Sequence, residues 1–229
     1  MTVFFGINEI ILYSLSLKTN NSSASIAAVM RSEDSTAASG SPLAPAAPQE
    51  MLDWARGEMS GPAVRETVKT LAELSGLFRD REAYAAMDPQ REVYRVRAWA
   101  PVAAGEEGGL FWGVTILQPG KVGDEFFMTH GHFHANRTRA EYYATVAGQG
   151  ILLRMDEQRA TRGEAMSPGT LHYIRGRHGH RVVNVGPEPL IFWACWGSDA
   201  GYDYGIIRQE GFGAAVVERD GKPAIVPYE

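Results

Sequence analysis

The chain of 229 residues holds one cysteine, Cys195. No intrachain disulfide can form, and a reducing compartment, the cytoplasm, is the expected location. Cys195 lies in the apolar run Leu190–Trp196, where it reads as a packed thiol rather than a nucleophile. Long apolar runs are also missing: nothing approaches the roughly 18 uncharged residues that cross a bilayer, so no membrane association is expected. Positive charge is in short supply, with 22 Lys and Arg against 27 Asp and Glu and a net charge of −5. Without a basic stripe, nucleic acid is not an expected partner. The apolar stretch from Val3 to Leu17 has no preceding Lys or Arg and is interrupted by Glu9, which disfavours a secretory leader. Ser35 to Pro48 mixes Ser, Ala, Pro and Gly without periodicity, so residues 1–47 read as a flexible extension.

The remaining residues, 48–229, are enough for one domain with a full core. Hydrophobic residues at 45% and charged ones at 21% are ordinary for a globular protein. Residues 48–90 read as helical. Gln49 to Met59 are good helix formers, Pro62 can open a second helix, and Val64, Val68, Leu71, Leu74 and Leu77 make one apolar stripe. Residues 91–229 instead show short strand-like runs: Val93–Trp99, Leu110–Leu117, Glu125–Met128, Glu141–Val146, Gly150–Arg154, Thr170–Arg175, His180–Val185 and Leu190–Trp196. Pro119-Gly120, Gly148-Gln149-Gly150, Pro168-Gly169 and Gly186-Pro187 punctuate them, and Asp220-Gly221 marks a closing hairpin. The fold class is mainly β, a sandwich or barrel.

Chemistry concentrates in Thr129-His130-Gly131-His132-Phe133-His134, followed after six residues by Glu141-Tyr142-Tyr143. His132 and His134 are spaced i, i+2, so on a strand both imidazoles leave one face. If Glu141 opens an antiparallel neighbour, its carboxylate can meet them, and His180 offers a further imidazole. Imidazole with carboxylate suits a borderline divalent metal such as iron, zinc, nickel or manganese. His130 shares the parity of His132, but Gly131 permits distortion and His130 is not placed among the ligands. His172 and His178 are read as non-ligands, the first on a strand and the second in an Arg/Gly-rich loop. Tyr143 shares the parity of Glu141 and needs a partner for its hydroxyl, which a substrate oxygen, a phosphate or a structural hydrogen bond within the barrel can supply.

The H-x-H, the Glu, and the later segment from Gly169 through Arg175 and Arg177 to His180 and Asn184 resemble the two motifs of the cupin superfamily. Departures from the common cupin pattern, namely the six-residue gap before Glu141 and Arg at positions 175 and 177, lead to a narrower likeness. T-x-G-H-F-H-A-x4-A-E-x-Y, Met166-Ser167-Pro168-Gly169-Thr170, His180-Arg181-Val182-Val183-Asn184 and Asp199-Ala200-Gly201-Tyr202-Asp203-Tyr204-Gly205 resemble the cupin-type glucose-6-phosphate isomerases of archaea and some bacteria. The likeness spans roughly Val93 to Val226. It implies a jelly-roll barrel with the site inside, a homodimer, and one divalent metal per chain, iron(II) first and manganese, zinc or nickel as alternatives. The metal would be held by His132, His134, Glu141 and His180. It also implies a sugar phosphate as substrate, with Thr115, Thr129, Gly131, Tyr143 and Tyr204 binding it, and Glu141 and Tyr143 as catalytic groups. Where the family commonly has Tyr-Pro the chain has Trp196-Gly197, and Tyr202 stands where His is common. An iron cupin dioxygenase with the same ligands, or a non-catalytic sugar-binding cupin, are the competing readings.

Overall fold

The computed structural model describes residues 46–228. The expectation for residues 1–47 therefore lies almost wholly outside the described residues. The domain opens with a hairpin of β1 (Met51–Asp53) and β2 (Glu58–Ser60), then β3 (Val64–Thr70), a 3-10 turn at Leu71–Leu74, and α1 (Arg81–Ala85). Next come β4 (Glu92–Trp99), β5 (Leu110–Leu117), β6 (Lys121–Val122) and β7 (Glu125–Phe126). After an irregular His-bearing segment follow β8 (Glu141–Ala147), β9 (Gly150–Met155), β10 (Thr161–Met166), β11 (Leu171–Ile174), β12 (Gly179–Asn184) and β13 (Leu190–Gly197). The chain closes with α2 (Gly205–Glu210), β14 (Ala214–Arg219) and β15 (Lys222–Pro227). All strand pairs are antiparallel: a six-stranded sheet in the order β11-β8-β13-β5-β4-β3, a three-stranded sheet β10-β9-β12, and a four-stranded sheet β15-β14-β7-β6. One apolar cluster draws Leu117 and Phe192 from the first sheet, Leu152 and Val182 from the second, and Phe126 and Val216 from the third. This is the mainly β, jelly-roll arrangement that turn spacing and resemblance implied. Asp220 and Gly221 both take positive φ, 51° and 72°, and close β14 onto β15 as the hairpin signal predicted.

The helical expectation for residues 48–90 is overturned from Met51 to Thr70 and survives only in the 3-10 turn at Leu71–Leu74 and in α1. Gln49 to Met59 contains the β1–β2 hairpin, and β3 adds to the sheet edge through a ladder from Val64↔Trp99 to Thr70↔Glu92. The β-branched Val64, Thr67, Val68 and Thr70 favour this once β4 offers an unpaired edge, and tertiary pairing overrides propensity. Leu71, Leu74 and Leu77 do reach the core, at 1%, 0% and 5% exposure, but from a single 3-10 turn and its exit. Val68, by contrast, is exposed.

Cys195 is half-buried rather than a core thiol. It faces outward from the six-stranded sheet between Tyr142 and Trp112, its register partners on β8 and β5. That outer face is partly covered by the β1–β2 hairpin, whose Trp54 packs edge-on against Trp112 and Trp193 at 6.3 and 5.3 Å between ring centroids. Leu110, Tyr142, Leu171 and Tyr173 stay exposed.

Candidate active site and metal centre

Strand alternation sets the inner wall. Along β8, Glu141, Tyr143 and Thr145 are buried while Tyr142 is exposed. Ladder pairing carries this parity across the sheet: Tyr143 lies level with Ala194 on β13, Gly113 on β5 and Ala98 on β4. Thr145, Phe192, Thr115, Val96 and Thr67 form the next inward row. The row of small side chains leaves room inside the barrel, and a cavity of about 370 Å³ opens there.

The opposite wall is the segment from Thr129 to His134, which runs along β12 without being a regular strand. His132 and His180 exchange backbone hydrogen bonds at 3.2 and 3.0 Å, and the Thr129 amide donates to the Val182 carbonyl at 2.9 Å. Between them Gly131 takes φ +76°, a left-handed conformation. A Cβ at this position would also lie 3.0 Å from Arg181 Nε and 3.2 Å from the His180 carbonyl oxygen. The Val182 amide donates to Thr129 Oγ1 at 3.1 Å, so that hydroxyl keeps its own proton for another acceptor.

His132, His134, Glu141 and His180, from three separate segments, place one ligand atom each so that all lie within 4.8 Å of one another. His180 Nε2 approaches Glu141 Oε1 to 2.5 Å and His134 Nε2 approaches it to 3.7 Å. The 2.5 Å contact lacks hydrogen-bond geometry, and all three atoms are buried without a hydrogen-bond partner. The other ring nitrogens are engaged: His134 Nδ1 faces the Arg139 carbonyl at 2.9 Å, and His180 Nδ1 the His178 carbonyl at 3.4 Å. A carbonyl only accepts, so Nδ1 donates to it, which leaves Nε2 as the ring atom that can turn to a ligand at the common point. Burial opposes ionising Glu141, but His180, His134 and His132 outweigh it and hold the carboxyl well below its ordinary range. Burial, then the neighbouring His180, push His132 well below the usual imidazole value, which keeps it neutral and able to coordinate. Orphaned nitrogen and oxygen donors converging in a buried place fit a divalent cation.

The sequence profile of the glucose-6-phosphate isomerase family (GPI) matches residues 68–226, more than half of the chain. The chain belongs to this family. Glucose-6-phosphate isomerases of Pyrococcus horikoshii and Thermococcus kodakarensis are 38% and 42% identical to it over 175 and 168 residues. Those matches cover 76% and 72% of this chain and 92% and 87% of the relatives. A putative glucose-6-phosphate isomerase 2 of Rhizobium meliloti is 39% identical over 183 residues, 77% of this chain and 90% of the relative. Among solved structures, an oxalate decarboxylase variant of Bacillus subtilis matches 49% of this chain and 28% of its own with a TM-score of 0.38 and 20% identity.

In this sugar-phosphate isomerase the expected substrate-binding residues Thr115, Thr129, Gly131, Tyr143 and Tyr204 all line the one cavity that contains His132, Glu141 and His180. Tyr143 packs against Phe192 with the rings tilted by 39° at 4.8 Å and lies edge-on to His180 at 5.9 Å; burial and then the Glu141 charge raise its hydroxyl well above the usual value, so it stays protonated. Tyr204 meets His130 edge-on at 4.6 Å, and Tyr202 meets His132 at 4.8 Å. His130 lines the cavity without joining the four converging side chains. His172 is buried among Glu164, Thr145 and Thr170, away from the cluster. Arg175 and Arg177 are exposed and outside the cavity wall.

Tyr94 and Lys69 also line the cavity, and sequence reasoning missed both. Tyr94 was within reach, since it shares the parity of Val96 and Ala98 on β4, a strand read from sequence. Lys69 was hidden by the helical reading of β3. Two loops are tied together at the mouth. Arg137 pairs with Asp203, and Arg139 makes a bidentate contact with Asp199 at 2.6–2.9 Å. Phe133 and Asp203 exchange backbone hydrogen bonds at 3.0 and 2.8 Å. Tyr202 and Tyr204 ride on the strapped loop, their rings stacked at 6.1 Å. Behind the His segment, fully buried Arg181 donates to the His130 carbonyl at 2.8 Å.

Proposed function

We propose that the chain is a metal-dependent isomerase interconverting glucose 6-phosphate and fructose 6-phosphate. The observation that carries this reading is the convergence of four donor atoms, three of them from buried residues, beside a cavity lined by hydroxyls, in a chain of the glucose-6-phosphate isomerase family. His132, His134, Glu141 and His180 would hold one divalent ion, iron(II) first, with manganese, zinc or nickel as alternatives. Such an ion supplies Lewis acidity that polarises the sugar oxygens at C1 and C2.

The chain's own residues do the rest. Thr115 and Thr129 present hydroxyls, Gly131 a backbone amide and Tyr204 a phenol, a neutral cradle suited to phosphate oxygens. Thr129 donates because its oxygen already accepts from Val182. The protonated Tyr143 hydroxyl donates to a sugar oxygen as charge builds on it. Glu141 is the candidate base that carries a proton between C2 and C1, although every contact that keeps it ionised also weakens it as a base. A hydride moving directly from C2 to C1, with the C2 hydroxyl proton passing to the C1 oxygen, would need no base acting on carbon, and Glu141 would then serve as ligand alone. The dioxygenase and non-catalytic readings rest on the shared ligand set only.

A coupled isomerase assay on the purified chain loaded with iron(II) or manganese tests the reading, with one metal per chain expected. Undiminished metal in a His132→Ala/His134→Ala double variant would sink the ligand assignment. The same reading includes a homodimer, supported by the exposed outer face bearing Leu110, Tyr142, Leu171 and Tyr173. Light scattering should give twice the chain mass, and a Leu171→Asp/Tyr173→Asp variant should give the monomer.

A further inference from the structure

We propose that Lys69 binds the phosphate of the substrate, and that in the free protein it is parked on Glu73. The inference rests on the sugar-phosphate reading and names a residue for that site. A phosphate dianion withdrawn from water needs countercharge as well as hydroxyl donors. Among the described residues that line the cavity, Lys69 is the only Lys or Arg. Two other cations lie nearby without lining the cavity: Arg181 is behind the wall, with its guanidinium committed to the His130 carbonyl, and Arg208 packs over the Tyr204 ring at 5.6 Å.

Placement agrees with this. Lys69 pairs with Tyr94 across the β3–β4 ladder, and Thr67 pairs with Val96, which in turn pairs with Thr115. The Lys69–Tyr94 row therefore stands two residues, about 7 Å, beyond the Thr115 row. Glu141 lies toward the other end, two residues before Tyr143 on β8. The anionic end of the sugar is thus drawn away from the carboxylate and toward the ammonium. Tyr94 joins this end to the His segment, its hydroxyl accepting from the His130 amide at 3.4 Å.

Lys69 Nζ contacts Glu73 Oε1 at 2.7 Å, while Glu73 Oε2 accepts from the Thr70 amide at 3.0 Å. Both side chains are partly exposed, 36% and 43%. An exposed pair of this kind contributes little to stability, so breaking it costs little. A dianion competes well against a single carboxylate for the same ammonium. Glu73 keeps its hydrogen bond to Thr70 when Lys69 leaves.

The test is calorimetric binding of sorbitol 6-phosphate and of sorbitol to the full metal-loaded chain, beside KM and kcat for glucose 6-phosphate. Lys69→Met should weaken sorbitol 6-phosphate binding about 10- to 100-fold, as expected for a lost charge-assisted contact. Sorbitol binding should not change, and KM should rise while kcat holds. Lys69→Arg should recover most of the loss. Glu73→Gln, which keeps the oxygen facing Thr70, should tighten the phosphate. The proposal is overturned if Lys69→Met binds sorbitol 6-phosphate within about 2-fold of the parent, if sorbitol loses affinity equally, or if the parent does not bind the phosphate. A parent chain that binds sorbitol 6-phosphate but never turns over glucose 6-phosphate would instead sink the isomerase reading and leave the Lys69 comparison standing.

Discussion

Replacing Arg181 by Met tests how the wall behind the His segment is held. Arg181 and Glu125 are each 1% exposed, and Arg181 Nε and Glu125 Oε1 both lack a hydrogen-bond partner. Burial pushes the Arg181 guanidinium down to about 10 and raises the Glu125 carboxyl, so attraction between them only partly offsets desolvation. The Arg181 guanidinium is still charged at neutral pH. Removing one member of a buried charged set costs about 3–5 kcal/mol. The low end applies, because Glu125 keeps the Arg79 amide at 3.0 Å and the Arg79 guanidinium at 3.7 Å. About 3 kcal/mol lowers Tm by roughly 6–12 °C in a domain of this size. Adding Glu125→Gln removes the stranded charge and keeps an oxygen for Arg79, so the double variant should regain most of that Tm. Its KM should stay raised, because the His130 carbonyl still lacks its donor and Gly131 its neighbour. Melting curves by circular dichroism and steady-state kinetics on the four proteins of the cycle measure both effects. If the double variant is as unstable as Arg181→Met, Arg181 does not neutralise Glu125. If it recovers KM as well as Tm, Arg181 does not position the His segment.

Glu141→Gln separates base from ligand: turnover should fall about 10²–10⁴-fold with metal retained by the three imidazoles, whereas activity that returns with excess metal would assign Glu141 to anchoring alone. Deuterium from solvent at C2 of recovered aldose would support proton transfer through an enediol. The Glu125 carboxyl, raised in the fold, favours the protonated native state; its contribution is fully present below the ordinary carboxylate value of 4.5 and is lost as pH rises through the folded value. The stability of the parent relative to Glu125→Gln should therefore be greatest near pH 4 and decline toward neutrality, and urea titrations showing the reverse slope would refute this. A chain beginning at Pro48 should keep the Tm and turnover of the full chain, checked by the same melting and kinetic measurements.

Part of the candidate site was legible because Glu141 and Tyr143 lie on β8, where period-two alternation is strict, and the turn residues bounding β8, β9 and β13 fixed where strands could run. His132 and His134 lie on an irregular segment beside β12, so their grouping was legible from the motif rather than from alternation. The β3 region misled because Val64, Val68, Leu71, Leu74 and Leu77 suit a helical stripe as well as a strand followed by one 3-10 turn; only the unpaired edge of β4 decides between them. Strand β10 (Thr161–Met166) was missed because its sequence, TRGEAM, has no apolar alternation; it forms by pairing with β9. The burial of Arg181 was beyond local reading, since an Arg beside a metal-ligand His has no pattern that marks it as interior.

The six residues between His134 and Glu141, longer than common cupin spacing, contain both arginines of the strap across the mouth. Asp199 and Asp203, 60 and 66 positions further along the chain, answer them. Shortening the spacer would leave two carboxylates unanswered, and losing the carboxylates would leave a spacer with nothing to hold. The two segments therefore form one heritable unit: recombination that exchanges either alone between relatives should yield a well-folded barrel with a misplaced Tyr202 and Tyr204, whereas exchange of both together should carry its mouth intact.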